Sequence, residues 1–186
     1  VALAPFARRA ERPGKIFIEL QPQQVTPIAT APATQPLPQQ RPPRPVALPG
    51  LPFDGERVLD STGALALTAV PDSVVVVGAG YIGLELGTAL AKLGARVTVV
   101  EALDRILPTV DESLTAPVLE RLRELDVELW LETSAQRLED GALVVAGPRG
   151  EDRVEAERVI VAVGRVPNTD DLGLSEAGVA VGPDGL

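Results

Sequence analysis

The residues with the clearest chemical use are the three glycines of GAGYIG at 78–83, followed by Glu101 at the end of VTVVE. Gly78 permits a tight turn out of a strand, and Gly80 has no Cβ, so a pyrophosphate can approach the backbone. Gly83 lets the following helix pack closely on a sheet. The free amides of the first helical turn would bind the two linked phosphates. The pattern therefore predicts a dinucleotide site; the alternative is a glycine turn selected for packing alone.

The position of Glu101 predicts which dinucleotide would bind. It lies eighteen residues after Gly83, where an acid that accepts hydrogen bonds from the adenosine ribose belongs. A 2′-phosphate at that place would be repelled by the carboxylate, and the next residues, Ala102 and Leu103, offer no arginine to receive it. These features favour NAD over NADP. The alternative is that Glu101 is a solvated loop acid.

The apolar pattern around these residues predicts the elements that would position them. Four valines at 74–77 are typical of a buried parallel strand, residues 81–93 have helical spacing, and a β-branched strand follows at 96–100. Together they predict a βαβ unit of an α/β, Rossmann-type parallel sheet. We also expect helices over 60–69 and from Asp111 or Thr115 to Leu125, and strands at 127–131, 136–138, 142–145, 153–156 and 159–163, with turns at 140–141 and 148–150.

Composition excludes several classes of protein. The 186 residues include no Cys, His or Met, so a disulfide, a thiolate metal site and histidine chemistry are absent from this chain, and we expect no metal site. A net charge of −9 argues against nucleic acid as the main partner. No apolar stretch approaches the roughly 20 residues of a bilayer span, and no secretory signal is evident. We expect a soluble, acidic, cytoplasmic protein that is a piece of a longer one.

Two regions differ sharply in composition. Residues 1–53 contain 12 of the 18 prolines and most of the glutamines, which predicts an extended or disordered segment with one short strand at 15–20. This segment would be a remnant or linker; a polyproline ligand for an SH3-like partner is the alternative. Residues 54–186 carry the globular pattern and are predicted to form the dinucleotide-binding domain.

Several motifs in order along the chain resemble the pyridine nucleotide–disulfide oxidoreductases, and within them the dihydrolipoyl dehydrogenase group. The matching segments are PGLPFDG at 49–55, DSTGALAL at 60–67, GAGYIGLELG at 78–87, LDRILPTVD at 103–111 and AVGRVPNT at 162–169. The resemblance implies an NAD-binding domain inserted between two parts of an FAD-binding domain. It also implies a three-stranded antiparallel excursion, which matches the predicted hairpins.

The resemblance implies roles for further residues. Glu85 resembles an acid near the nicotinamide carboxamide, and Tyr81 resembles a ring beside the nicotinamide pocket; a helix-surface ion pair and ordinary packing are the alternatives. Ala135 resembles a backbone contact on the adenine side, and Gly164 the glycine that lets the dinucleotide pass, unless it is a simple turn. The candidate NAD-binding residues are therefore Gly78, Ala79, Gly80, Tyr81, Ile82, Gly83, Leu84, Glu85, Glu101, Ala135 and Gly164. We expect no catalytic residue among them.

The resemblance also implies parts that this sequence lacks: a GxGxxG for FAD, a CxxxxC redox pair, a later GD motif, and a His-Glu pair from the partner subunit of a homodimer. The tract IATAPATQPLPQQ at 28–40 departs from the family pattern, which a reading-frame disturbance would explain. We expect the chain to bind NAD but not to turn over, because side chains cannot replace the flavin. The whole protein would pass electrons from a lipoyl-bearing dithiol partner through FAD to NAD. A stand-alone dinucleotide-binding module, another flavoprotein disulfide reductase and a conventional dehydrogenase are the alternatives.

Overall fold

The structure is a computed structural model and describes residues 43–182. Three α-helices and a 3₁₀ turn lie at Ser61–Leu65 (α1), Tyr81–Lys92 (α2), Glu112–Leu114 (3₁₀ turn) and Ala116–Glu124 (α3). The strands are Arg44–Pro45 (β1), Val58–Leu59 (β2), Ser73–Val77 (β3), Arg96–Val100 (β4), Glu128–Trp130 (β5), Ser134–Glu139 (β6), Ala142–Gly147 (β7), Gly150–Glu155 (β8), Arg158–Val161 (β9) and Arg165–Val166 (β10).

The central layer is a five-stranded parallel sheet in the order β2-β9-β3-β4-β5. All five residues of β3 are buried, because the sheet is covered on both faces. Val74 and Val76 pack in the core cluster that includes side chains of all three helices. Val75 and Val77 pack in a second cluster, with side chains of β7 and β8. Successive valines of β3 thus pack into two different hydrophobic clusters, one on each face of the sheet. The predicted α/β fold is confirmed.

Helix α2 follows the sequence prediction closely, beginning at Tyr81 and ending at Lys92 with Leu93 as C-cap. Helix α1 is shorter than predicted. Asp60 caps it by accepting a hydrogen bond from the Gly63 amide (2.7 Å), but the helix ends at Leu65 rather than at residue 69. Pro71 disfavours helical geometry only at Val70, the residue before it, and does not account for the earlier end at Leu65. Within residues 43–182, no helix is both long and apolar enough to cross a membrane.

The antiparallel excursion is a three-stranded sheet, β6-β7-β8. Asp140 and Gly141 join its first two strands with φ angles of 47° and 85°. Two positive φ angles match the mirror-image turn that suits the twist of a hairpin. The predicted turn at this place is confirmed, and so is the three-stranded excursion.

The start of the described region is more ordered than its proline content predicted. Strand β1 pairs antiparallel with β10, a pairing that local pattern did not predict. Leu51 is fully buried in the cluster beneath the antiparallel sheet. Residues 43–53 are therefore packed together with the sheets of the domain. The predicted strand at 15–20 lies outside the described residues, and the division of the chain at residue 53 stays a prediction.

Asp54 should make the stability of the fold depend on pH. Slight desolvation raises its pKa, but hydrogen bonds from the amides of Glu56, Val58 and Arg57 (2.7–2.9 Å) outweigh it and hold the pKa below the ordinary 3.8. Because the pKa is lower in the folded state than in the unfolded state, ionised Asp54 stabilises the fold at pH values above the unfolded-state pKa. That stabilisation is lost as the pH falls through the folded-state pKa. We expect Asp54→Ala to lower the melting temperature at pH 7 and to lower it by less at pH 3. Calorimetry at both values tests this; an equal deficit at both would contradict it.

Candidate functional site

The predicted site residues meet where parallel strands β3, β4 and β9 end. Val77 lies opposite Val100 on one side and Val161 on the other, so Gly78, Glu101 and Ala162 come next at one sheet edge. Gly78 has φ of +105°, and its amide donates to the Val100 carbonyl at 2.8 Å. A Cβ on Gly78 would lie 2.7 Å from the Ala162 carbonyl oxygen. Only glycine therefore turns the chain here.

Gly80 is the N-cap of α2 and leaves space in front of the helix. Its φ and ψ are −74° and 176°, and no side chain caps the helix. A Cβ on Gly80 would meet no atom within 4 Å. The backbone conformation therefore does not require glycine, unlike that of Gly78. Open space before uncapped first-turn amides is what an approaching anion needs.

Gly83 has a different task, since it faces the sheet. A Cβ there would lie 2.0 Å from the Gly78 carbonyl oxygen and 3.1 Å from Val76 Cγ1. The same atom on Gly87, one turn later, would be 3.5 Å from its nearest neighbour, Val97 Cγ1. The absence of a side chain at Gly83 thus lets the first turn of α2 pack against the end of β3. At Gly87 a Cβ would make only an ordinary van der Waals contact.

The Glu101 carboxylate contacts the glycine turn directly. Oε2 accepts a hydrogen bond from the Ala79 amide at 2.7 Å, and Oε1 accepts one from the Leu103 amide at 2.9 Å. The side chain is half-buried. The interpretation as a solvated loop acid does not describe these contacts. Glu101 lies at the sheet edge where the ribose prediction needs it, with two carboxylate oxygens that retain lone pairs for further donors.

The other predicted residues of α2 divide between surface and core. Tyr81, the first helical residue, is 66% exposed, and Glu85 is exposed one turn later. No ion pair is present at Glu85 among the described residues. Leu84 is buried in the helix-side core, and Ile82 is half-buried. The Leu84 amide donates to the Gly80 carbonyl at 3.0 Å, so the contact of Leu84 with a dinucleotide stays a prediction.

Gly164 and Ala135 lie farther along the chain from this turn. Gly164 comes three residues after β9, with φ of +146°, and its carbonyl accepts from the Val46 amide at 3.0 Å. Ala135 lies in β6, two residues after Thr133, whose amide donates to the Glu101 carbonyl at 2.8 Å. The structure thus links the Ala135 segment to Glu101 through the backbone. The contacts of both residues with a dinucleotide stay predictions.

Sequence reasoning missed part of the support for this turn. The Leu107 amide donates to the Ala79 carbonyl at 2.9 Å, although 28 residues separate the two. Leu103 and Leu107 belong to LDRILPTVD at 103–111, a segment that resembles the family but for which the sequence predicted no function. No local pattern marks a backbone contact of this kind, because any residue except proline supplies the same amide.

Comparison with known proteins places the chain in a family. Residues 40–186 match the family described as pyridine nucleotide-disulphide oxidoreductase. Dihydrolipoyl dehydrogenase of Staphylococcus aureus is 46% identical over 147 residues, which are 77% of this chain and 31% of that protein.

Two solved structures extend the similarity to the fold. LpdA from Mycobacterium tuberculosis has a TM-score of 0.68 at 33% identity, over 77% of this chain and 31% of that one. The Escherichia coli flavoprotein disulfide reductase RclA has a TM-score of 0.65 at 30% identity, over 77% and 33%. The chain spans about a third of the length of the curated relatives it matches. The matched residues and the geometry of the glycine turn agree: the chain belongs to the pyridine nucleotide-disulphide oxidoreductase family.

Proposed function

We propose that this chain is the NAD-binding portion of a dihydrolipoyl-dehydrogenase-like flavoprotein. The observation that carries the proposal is the turn at Gly80, where an open, uncapped helix N-terminus faces space. The Glu101 carboxylate is bonded to the same turn at Ala79. Phosphates would bind the first-turn amides, and the carboxylate would accept the adenosine ribose hydroxyls. The candidate residues are those predicted from the sequence, Gly78–Glu85 with Glu101, Ala135 and Gly164.

The chemistry of the whole protein is also part of the proposal. The relatives named dihydrolipoyl dehydrogenase favour a protein that carries electrons from a lipoyl-bearing dithiol partner through FAD to NAD. FAD, when bound, would supply the hydride chemistry that no side chain of this sequence can supply. The 186 residues contain neither Cys nor His, so these residues provide neither a redox dithiol nor an imidazole acid–base. A homodimeric, cytoplasmic parent protein belongs to the same proposal.

Titration of the purified 186-residue chain with NADH tests the binding step. We expect heat of binding in calorimetry, with the nicotinamide fluorescence changing over the same concentrations. Circular dichroism provides the control for folding. A folded chain that gives no heat with either NADH or NADPH contradicts the proposed function. Diaphorase activity with lipoamide in flavin-free material would contradict the expectation that this chain alone does not turn over.

Charge at position 101 should set the preference between NADH and NADPH. We expect Glu101→Arg to shift the ratio of the two affinities toward NADPH by about 1–3 kcal/mol, because the repulsion of a 2′-phosphate becomes attraction. Fluorescence titration with both nucleotides measures the ratio. Glu128→Arg, an exposed position of β5, is the matched charge reversal and should leave the ratio unchanged. An unchanged ratio in Glu101→Arg would remove Glu101 from the ribose site.

RclA supports one alternative substrate class. This solved structure is a flavoprotein disulfide reductase whose chain matches at 30% identity. The parent protein would then reduce or oxidise another dithiol and keep the same NAD domain. Activity of the full-length parent with dihydrolipoamide, compared with other small dithiols, separates the two candidates.

A further inference from the structure

Ala79, which lies between Gly78 and Gly80, is hydrogen-bonded at both its backbone amide and its backbone carbonyl. Its amide donates to Glu101 Oε2 at 2.7 Å, and its carbonyl accepts from the Leu107 amide at 2.9 Å. Ala79 itself is fully buried. A buried residue whose backbone N–H and C=O are both hydrogen-bonded resists displacement, because moving it would break a hydrogen bond in a poorly solvated place. The glycine turn is therefore fixed by residues outside the turn.

Glu101 connects this turn to the loop after β4. Oε1 accepts from Leu103, two residues later, while Oε2 accepts from Ala79, so one carboxylate bonds two backbone segments. Hydrogen bonds from amides to an ionised acceptor are about twice as strong as neutral ones. Each oxygen accepts one bond and keeps a second acceptor site. Ribose hydroxyls can therefore bind without displacing either amide.

The segment from Leu103 to Leu107 is itself anchored. The Leu103 carbonyl accepts from the Glu132 amide at 2.8 Å. Ile106 is 2% exposed and packs in the helix-side core. Leu107 has a left-handed φ of +49°, uncommon for leucine, and this conformation accompanies its bond to Ala79. Glu101 and residues 103–107 together form a clamp on the turn, and this clamp rests on the sheet and the core.

We propose that Glu101 is a positioning residue for the phosphate-binding turn in addition to its ribose contact. Through the clamp it holds Ala79, and hence the Gly78–Gly80 turn, in the shape that receives the pyrophosphate before any nucleotide arrives. This inference rests on the proposed function for its ligand. It also gives the segment 103–111 a structural role, since the Leu107 amide of this segment is hydrogen-bonded to the glycine turn at Ala79. The energetic benefit is preorganisation, because a turn already fixed loses less freedom on binding.

A nucleotide lacking the ribose contact separates positioning from direct recognition. We expect Glu101→Gln to weaken both NADH and its analogue lacking the 2′- and 3′-hydroxyls of the adenosine ribose, the latter by about tenfold. The glutamine nitrogen cannot accept from a backbone amide, so either Ala79 or Leu103 loses its partner. Glu128→Gln, at an exposed acid of β5 that takes no part in the clamp, is the matched control and should bind both as wild type does. A loss confined to NADH would overturn the inference.

Amide hydrogen exchange in the nucleotide-free chain gives a readout independent of binding. We expect slow exchange at Ala79 in the wild type, and exchange faster by about tenfold or more at Ala79 or Leu103 in Glu101→Gln. Val76, in the middle of β3, should exchange equally slowly in both proteins if the fold is intact. Fast exchange at Ala79 in the wild type, or unchanged exchange at both amides in the variant, overturns the clamp. Wild-type chain that binds neither nucleotide contradicts the proposed function, while the exchange result still decides the clamp.

Discussion

Gly80→Val is expected to abolish dinucleotide binding and to leave the fold intact. A Cβ at this position meets no protein atom within 4 Å, and φ of −74° with ψ of 176° is a conformation that valine adopts readily. The space that the side chain would fill is the space through which the pyrophosphate approaches the helix amides. We expect NADH affinity to fall at least about 100-fold, roughly 2.8 kcal/mol, in calorimetry. Stability should fall by only about 1 kcal/mol, since valine is a poor N-cap.

Thr115→Val supplies the matched control for that experiment. Thr115 is the N-cap of α3, and its hydroxyl donates to the Glu112 carbonyl at 2.8 Å. We expect a similar loss of stability, about 1 kcal/mol, with NADH affinity unchanged. If Gly80→Val binds NADH as tightly as wild type while remaining folded, the pyrophosphate does not pass this point. The proposed function would then lose the observation on which it depends.

Gly83→Ala should destabilise the chain by about 3 kcal/mol, at the upper end of the usual cost of overpacking. The added Cβ would lie 2.0 Å from the Gly78 carbonyl oxygen, a backbone atom at the tight turn that cannot rotate away. Relief requires α2 to move off β3 or the Gly78 peptide to turn, and either change also removes the phosphate-binding geometry. Urea unfolding monitored by circular dichroism measures the loss, with NADH titration performed on the same sample.

Gly87→Ala tests whether this effect is specific to position 83. Both glycines are buried on the sheet face of α2, but the added Cβ at 87 would be 3.5 Å from Val97 Cγ1, an ordinary contact. Alanine in a helix interior gains about 1 kcal/mol over glycine. We expect Gly87→Ala to be neutral or stabilising and to bind NADH normally. Equal behaviour of the two variants would show that α2 does not approach β3 as closely as the structure places it.

Sequence pattern predicted the elements whose signal is local. The valine run, the helical spacing after Gly80 and the Asp140-Gly141 turn predicted β3, α2 and the β6–β7 hairpin, because each is set by side-chain periodicity or by a required φ. The motif by itself predicted different tasks for its three glycines: the turn for Gly78, the open approach for Gly80 and close packing for Gly83. The structure adds the atoms involved, since a Cβ would collide with backbone at Gly78 and Gly83 and would meet nothing within 4 Å at Gly80.

Residue types and their spacing were enough to predict the parallel α/β class, the position of the glycine turn and Glu101 as a candidate site residue. Three features could be found only in the folded chain: the pairing of β1 with β10, the burial of Leu51, and the hydrogen bonds that tie Ala79 to Glu101 and Leu107. The physical reason is that every residue except proline carries the same amide and carbonyl, so a backbone bond between distant segments leaves no mark in residue type. Such bonds form only when the packed sheet brings the two segments within about 3 Å of each other.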